Sequence, residues 1–260
     1  MNKLFLISGP CIVENDTTPM LIAQTVKPMC DDLGIEYIFK ASYRKANRTR
    51  VDSFTGIGDE EALQIIRDIG RELGVRTLTD IHESHEVPMV ASFVDVLQIP
   101  AFLCRQTALL QAAGSSGRAV NIKKGQFVSP EAMRYPIEKV MATGNHNVWI
   151  CERGFSFGYE DLIVDATAIP RLKKHGVPVV MDCTHSVQVP NQSSGVSGGN
   201  PEYIETIARV AAATGADGLF IETHPDPKNA LSDAATMLQM DLLYNILEKV
   251  IRIRKAANDG

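Results

Sequence analysis

The chain has 260 residues, 45% hydrophobic and 22% charged, which is typical of a globular protein with a substantial core. Its net charge of −5 gives no general basis for binding nucleic acid or a membrane surface, and no apolar run approaches the ~20 residues of a membrane-spanning helix. Five scattered cysteines do not form a disulfide framework, and the N-terminal apolar run, broken by Gly9 and Pro10, is too short for a signal peptide, so we expect a cytoplasmic protein.

Short apolar segments alternate with helical patterns along the whole chain. The apolar segments predict strands at 4–8, 36–41, 76–81, 96–101, 119–124, 147–152, 178–183 and 218–223. Helical patterns lie between them; those at 59–74 and 200–215 end on Gly, as helix C-termini prefer, and a last one covers 231–258. Nearly continuous apolar strands favour a parallel sheet covered on both faces.

Eight such strand–helix units in about 250 residues predict an α/β fold, a single (β/α)8 TIM barrel forming one domain over residues 1–260. An open doubly wound sheet is the alternative, but no G-x-G-x-x-G follows the first strand.

Nearly every predicted strand ends in a residue with useful chemistry. The C-terminal ends of barrel strands form one rim, where the active sites of this fold lie. Solvated charges would not choose strand ends so consistently, so the pattern predicts an enzyme. The residues are Cys11, Lys40, Asp80, His82, Gln98, Lys123, Lys124, Glu152, Arg153, Asp182, His185, Glu222 and His224.

A basic cluster between residues 40 and 50 predicts anion binding. It contains Lys40, Arg44, Lys45, Arg48 and Arg50, with no acidic residue. Lys123, Lys124, Arg153 and Arg105 add to it from other strand ends. Phosphates and carboxylates need such groups for charge neutralisation and hydrogen bonding, although a solvated basic loop would give the same local pattern.

A metal site is a second possibility. In VVMDCTHSVQVPN (179–191), Cys183 and His185 are two apart and could share the inner face of a strand. Alternatively, Cys11, His185, Glu222 and Asp233 could converge, because the first, seventh and eighth strands are neighbours in a closed barrel. Such a set suits Zn²⁺, Fe²⁺ or Mn²⁺. Spacing alone does not decide, since each residue could equally be a core thiol, a capping Asp or a His bonded to backbone.

Several longer strings resemble one family throughout the chain. They include GPCIVE (9–14), FKASYRKANRT (39–49), QIPAFLCRQT (98–107), NIKKGQF (121–127), ERGFSFGY (152–159), DCTHSVQ (182–188) and ETHPDPKNALSDA (222–234). In these strings the chain resembles the 3-deoxy-D-manno-octulosonate 8-phosphate synthases, within the larger family that condenses phosphoenolpyruvate with a phosphorylated aldose. The resemblance implies a transferase that uses D-arabinose 5-phosphate in lipopolysaccharide precursor synthesis.

The resemblance also implies the metal-dependent subclass, whose members carry Cys where this chain has Cys11 and the others Asn. One divalent ion per subunit, Zn, Fe or Mn, would be held by Cys11, His185, Glu222 and Asp233, with no organic cofactor. Cys183 would then be a packing residue one layer deeper or a neighbour of the ligands.

By the same resemblance, the substrates are small molecules bound by two groups of residues. Phosphoenolpyruvate would contact Lys40, Lys45, Gln98, Lys123 and Arg153. The sugar phosphate would contact Asn47, Arg48, Thr49 (where the family usually has Ser) and Arg105, with Asp80 and His82 nearby. The residues expected to act in catalysis are Cys11, His185, Asp233, Lys40 and Asp80.

The resemblance further implies a homotetramer in which sugar-phosphate contacts cross a subunit interface. Two alternatives stay open. A sister synthase would use erythrose 4-phosphate, although the string KANRT (45–49) argues against it. A non-catalytic barrel would only bind sugar phosphates.

Overall fold

The structure, a computed structural model, describes residues 3–48, 50–158, 161–190 and 198–258. Eight parallel strands form a sheet in which each strand pairs with the next, and the last pairs with the first, so the sheet closes. The strands are β1 (Phe5–Gly9), β2 (Glu36–Lys40), β3 (Arg76–Asp80), β4 (Val96–Ile99), β5 (Ala119–Lys123), β6 (Val148–Glu152), β7 (Val179–Asp182) and β8 (Gly218–His224). The predicted (β/α)8 barrel is confirmed.

Helices flank the barrel between successive strands and after the last one. They are α1 (Thr18–Asp32), α2 (Asp59–Leu73), α3 (Val87–Ala91), α4 (Thr107–Ser115), α5 (Arg134–Met141), α6 (Ala168–Lys173), α7 (Ile204–Ala213) and α8 (Leu243–Asn258). After α2 and α7, Gly74 and Gly215 adopt left-handed conformations with φ of 63° and 83°, as predicted for C-terminal glycines. No helix in the described part of the chain is long and apolar enough to cross a membrane.

The helix predicted over 231–258 is wrong in its first half, because α8 begins only at Leu243. Asp233 has φ +48°, a left-handed conformation that an α-helix cannot continue. The chain then pairs in parallel with the end of β8, where Leu238–Gln239 forms a short strand and the Thr223 hydroxyl donates to the Leu238 carbonyl at 2.9 Å. This loop keeps Asp233 at the barrel rim.

Alternation along the strands divides their side chains between two apolar layers. Phe5 and Ile7 of β1 face the barrel interior, whereas Leu6 between them packs in the layer under the helices. Truncating a fully buried residue such as Ile38 to Ala would cost ~2–5 kcal/mol. The apolar members of the inner layer are Phe5, Ile7, Ile38, Leu78, Val96, Ala119, Trp149, Cys151, Val180 and Phe220.

Gly9 at the end of β1 allows a close approach between β1 and β2. A Cβ atom built there would collide with the carbonyl oxygen of Lys40. Because no side chain intervenes, the Lys40 ammonium reaches back to the Cys11 carbonyl oxygen at 2.9 Å. This contact brings together the first two candidate site residues.

Candidate active site

Polar side chains close the barrel interior at the C-terminal ends of the strands. Most lie two positions beyond an inner apolar residue, as Lys40 follows Ile38 and Glu222 follows Phe220. The strand ends therefore meet at one rim, as the sequence predicts. The buried rim residues are Lys40, Asp80, Gln98, Lys123, Asp182 and Glu222.

The structure brings the four candidate metal ligands together. Donor atoms of Cys11, Glu222 and Asp233 all lie within 4.8 Å of one another, and Cys11 Sγ is 3.2 Å from Asp233 Oδ2. The Nε2 atom of His185 lies 3.6 Å from a carboxylate oxygen of Glu222 and 3.6 Å from one of Asp233. One thiol, one imidazole and two carboxylates thus converge from three neighbouring strands and the final loop.

The orientation of His185 is fixed by Asp182, at the end of β7. Asp182 Oδ1 accepts the backbone N–H of His185 at 2.8 Å, and its Oδ2 lies 2.9 Å from the ring Nδ1. Burial opposes the charged imidazole, but the Asp182 carboxylate raises the pKa of His185 above its ordinary value. With Nδ1–H donating to the carboxylate, the lone pair of Nε2 faces Glu222 and Asp233.

The surroundings of Cys11 fit a bound cation. Burial, and next the carboxylates of Asp233 and Glu222, raise the pKa of this thiol to about 12. Glu222 Oε2 is buried and has no hydrogen-bond partner among the described residues. A divalent metal would deprotonate the thiol and coordinate that oxygen, and a sulfur, nitrogen and oxygen donor set suits Zn²⁺, Fe²⁺ or Mn²⁺.

Cationic side chains lie beside these donors, each against a polar partner. The Lys40 ammonium is 2.5 Å from Glu222 Oε1, and the Lys123 ammonium is 2.6 Å from Asp182 Oδ2. Burial disfavours the charge of Lys123, but Asp182 raises the pKa of Lys123 above its usual value. Arg153 donates to Gln188 Oε1 at 2.7 Å. The Lys123 ammonium is therefore charged although it is buried.

Lys45, Gln98 and Asp80 form a connected network through the Ser42 hydroxyl at the ends of β2, β3 and β4. Asp80 accepts short hydrogen bonds from the Ser42 hydroxyl and from Gln98 Nε2. Lys45 donates to the same hydroxyl at 2.9 Å. Burial alone would raise the pKa of Asp80, but Lys40 and Lys45 hold it well below its usual range. Asp80 is therefore a carboxylate at physiological pH.

Phe220 is a part of the site that the sequence reasoning missed. Its ring lies beneath the rim, 4.0 Å from the Lys123 ammonium, 5.6 Å from that of Lys40 and 5.6 Å from the His185 ring. Both ammonium groups gain cation–π stabilisation there. The sequence feature that could have identified Phe220 is its position two residues before Glu222, on the same face of β8.

The residues predicted to hold the sugar phosphate are not gathered as tightly. Arg48 lies 3.8 Å from Asp233 Oδ1, and its Nη2 is buried without a hydrogen-bond partner among the described residues. Asn47 and Arg105 are exposed on loops that follow β2 and β4. Thr49 lies outside the described residues.

His82 follows β3 next to Asp80. Its backbone N–H donates to Glu86 Oε2 at 2.9 Å, and its ring lies 6.0 Å from that of Tyr43. Burial lowers the pKa of His82, so the ring is neutral near pH 7. Its expected position beside the sugar phosphate stays a prediction.

Two predictions from the strand ends are wrong. Lys124 does not join the anion-binding cluster; it points outward, where its ammonium donates to the carbonyls of Val128 and Gly154 at 3.2 Å and lies 3.4 Å from Glu152. Cys183 does not share the inner face with His185; it is a packing residue, as one of the two interpretations expected, but in the layer under the helices. Strand alternation explains both, since each residue follows an inward-facing neighbour directly.

A (β/α)8 barrel with buried cations beside a mixed donor cluster is typical of enzymes that act on anionic small molecules. Comparison with protein families narrows this class to one family. The DAHP synthetase I family matches residues 1–258, and this chain belongs to that family. The family membership predicted from the sequence strings is confirmed.

Individual relatives cover almost the whole chain. One from Koribacter versatilis is 48% identical over 257 residues, covering 98% of this chain and 92% of the relative. One from Desulfatibacillum aliphaticivorans is 47% identical over 255 residues, covering 98% and 93%. One from Legionella pneumophila is 46% identical over 256 residues, covering 98% and 92%. All three bear the name 2-dehydro-3-deoxyphosphooctonate aldolase.

Proposed function

We propose that this protein condenses phosphoenolpyruvate with D-arabinose 5-phosphate and water, yielding 3-deoxy-D-manno-octulosonate 8-phosphate and inorganic phosphate for lipopolysaccharide precursor synthesis. The names of its relatives support this reaction. The structural observation that carries it is the placement of buried Lys40, Lys123 and Arg153 beside the four-donor cluster on one rim. The cations would bind the two anionic substrates, and the donor cluster would hold a metal ion beside the aldehyde.

The charge balance of the rim suits phosphoenolpyruvate. Five cations, Lys40, Lys45, Arg48, Lys123 and Arg153, lie among four rim carboxylates, Asp80, Asp182, Glu222 and Asp233. Glu222 and Asp233 belong to the donor set, and a divalent ion would offset their charge. The positive charge that remains, on largely buried side chains, is what a ligand with a carboxylate and a phosphate requires. On binding, these anionic groups would take over part of the pairing that Lys123 now makes with Asp182.

Cys11, His185, Glu222 and Asp233 would hold one divalent metal ion. The unpartnered Glu222 oxygen and the His185 lone pair directed at the carboxylates support this assignment. When bound, the ion would supply Lewis-acid polarisation or orientation of a substrate oxygen.

The protein's own residues bind and orient the reactants. C3 of phosphoenolpyruvate attacks the aldehyde carbon, water adds at C2, and the resulting hemiketal phosphate loses inorganic phosphate by cleavage of its C–O bond. Lys40, Lys123 and Arg153 would stabilise the negative charge that develops on the phosphate and carboxylate. Asp80, with its depressed pKa, is a poor proton acceptor. It would instead orient Gln98 and the water or sugar hydroxyls beside it.

The sugar phosphate would bind at the outer part of the rim, through Asn47, Arg48, Thr49 and Arg105. The buried, unpartnered Nη2 of Arg48 supports this role. A homotetramer would complete the subsite. Large exposed aromatic residues, Phe102, Phe127 and Phe157, follow the neighbouring strands β4, β5 and β6, and Phe102 lies three positions before Arg105. They support an interface on this side of the rim.

A coupled phosphate-release assay tests the reaction. With phosphoenolpyruvate present, D-arabinose 5-phosphate should release phosphate and erythrose 4-phosphate should not; chelation should stop the release, and Zn²⁺, Mn²⁺ or Fe²⁺ should restore it. Turnover of erythrose 4-phosphate would favour the sister synthase. Binding of the pentose phosphate without phosphate release would favour a sugar-phosphate sensor. Full activity after chelation would contradict the metal assignment.

A further inference from the structure

Glu14 and His224 form a largely buried pair, with side chains 10% and 7% exposed, beside the donor cluster but outside it. Glu14 lies three residues after Cys11, and His224 lies two residues after Glu222 on the same face of β8. The Nε2 atom of His224 is 2.9 Å from Glu14 Oε1. Both residues belong to the strings that carry the family resemblance, and neither has a role in the function proposed above.

The hydrogen bonds of His224 define its tautomer. The backbone N–H of Asp226 donates to His224 Nδ1 at 3.0 Å. Because a backbone N–H can only donate, Nδ1 is the unprotonated nitrogen, and the proton lies on Nε2, where it is donated to Glu14. Both ring nitrogens are therefore occupied, so His224 has no lone pair left for a metal ion.

Glu14 also holds the loop that carries Asp233. Its second oxygen, Oε2, accepts the backbone N–H of Leu231 at 3.1 Å. Two residues later, Asp233 adopts its left-handed conformation, the only positive φ of a non-glycine residue in the described ranges. Between them, the Ser232 hydroxyl lies 2.9 Å from Cys11 Sγ. A non-glycine residue in this region is unfavourable on its own and persists only when its surroundings hold it.

One pair of side chains thus connects three of the four donor-bearing segments. Glu14 belongs to the segment of Cys11, His224 to the strand of Glu222, and the accepted N–H of Leu231 to the loop of Asp233. We propose that Glu14 and His224 are a positioning pair that holds Asp233 and Cys11 at the distance a metal ion needs, and so sets the affinity of the site. This inference rests on the metal site of the proposed function.

Two substitutions break the pair at different points. Glu14→Gln keeps the length of the side chain and an acceptor for His224. Its amide NH₂ would then face the Leu231 N–H, and two donors cannot form a hydrogen bond. His224→Asn can still accept the Asp226 N–H but cannot reach Glu14. By analogy with other residues that orient metal ligands, each should weaken Zn²⁺ binding by about 10- to 100-fold, measured by chelator competition. The double variant should lose less than the product of the two effects, because both act through the same loop.

Controls separate positioning from general stability. Glu36→Gln removes a paired carboxylate at the opposite end of the barrel and should leave the Zn²⁺ affinity unchanged. With saturating metal, KM for phosphoenolpyruvate should also be unchanged in Glu14→Gln. The Co²⁺ form should show a weakened thiolate charge-transfer band in both pair variants. In the wild-type protein, hydrogen exchange of the Leu231 amide should be slow, a measurement that does not depend on any variant folding.

The possible results separate the positioning role from the metal assignment and from the condensation reaction. Zn²⁺ affinity that is unchanged in both pair variants, an equal loss in Glu36→Gln, or rapid exchange at Leu231 would overturn the positioning role while leaving the proposed function intact. Wild-type protein that releases phosphate but binds no Zn²⁺, Mn²⁺ or Fe²⁺ would overturn this inference and the metal assignment together, without touching the condensation reaction. Wild-type protein that binds metal but does not release phosphate would count against the reaction alone.

Discussion

The two ends of the barrel use charge differently. At the N-terminal end, Glu36 and Arg76 form an ion pair 2.6 Å long, with side chains 43% and 39% exposed. At the C-terminal rim, Lys40 and Glu222 form one 2.5 Å long, with side chains 2% and 1% exposed. The first is solvated and contributes ~0–1 kcal/mol, whereas the second carries a desolvation penalty that pairing only partly offsets. The proposed binding of anions and of a metal ion gives a reason for this arrangement at the rim.

Lys40→Met should produce the largest effect. In the metal-free protein it leaves Glu222 buried without its partner, which should lower the free energy of unfolding by ~3–5 kcal/mol. Loss of a preorganised charge should also reduce kcat by ~10²-fold or more. Denaturant unfolding and the phosphate-release assay measure the two quantities. Added Zn²⁺ should recover part of the stability, because it would neutralise Glu222, but not the activity. Lys249→Met, at an exposed pair with Glu205, is the matched control and should be nearly neutral.

Cys11→Asn tests whether the rim cations support the condensation reaction without the Cys11 thiol. We expect loss of tight Zn²⁺ binding, since a neutral amide replaces a thiolate, while the rim cations are retained. Following the metal-independent members that the family resemblance implies, residual condensation should then resist chelators. Activity of the variant that still disappears on chelation would contradict this expectation.

Acid should destabilise the rim in a defined window. Burial opposes ionisation of Asp80, Asp182 and Asp233, but neighbouring cations and hydrogen bonds hold all three pKa values well below the usual range. A depressed pKa adds stability that is complete above the unfolded value of ~3.9 and is lost as the pH falls towards the folded values. The free energy of unfolding should therefore decline below about pH 4.

The contribution of His185 to the free energy of unfolding should have the opposite pH dependence. Its pKa is raised, so its contribution is complete below ~6.5 and is lost as the pH rises through the folded value. Denaturant unfolding of the metal-free protein over the acid and neutral pH range measures both effects, the loss from the carboxylates at low pH and the loss from His185 at higher pH. Stability that stays constant from pH 6 to pH 3 would contradict the assigned environments of the carboxylates.

Glu36→Gln should have the smallest effect. It removes an exposed ion pair at the end of the barrel away from the rim, so the free energy of unfolding should change by no more than ~0.5 kcal/mol and activity not at all. A loss comparable with that of Lys40→Met would remove the contrast between the two ends.

Much of the fold and part of the site could be predicted from the sequence. Apolar runs were enough to predict the eight strands, because burial on both faces of a sheet selects such runs. Glycine-terminated helical patterns predicted helices between them. The alignment of polar residues with strand ends was enough to place the rim. The orientation of single residues was harder: Lys124 and Cys183 were assigned to the wrong face, since the point at which a strand ends decides which neighbour turns inward.

By itself, the sequence determined a closed eight-stranded barrel with chemistry at its strand ends, because periodicity and residue type are local properties. The strings that resemble the phosphoenolpyruvate-condensing enzymes pointed to the family, and the family match over residues 1–258 confirmed it. Only the tertiary structure decided which groups meet. Closure of β8 on β1 places Cys11 3.2 Å from Asp233, and the left-handed turn at Asp233 replaces the expected helix. The contacts of Glu14 with His224 and Leu231 likewise join positions more than 200 residues apart. Such distances follow from the packing of the whole barrel, which no local pattern records.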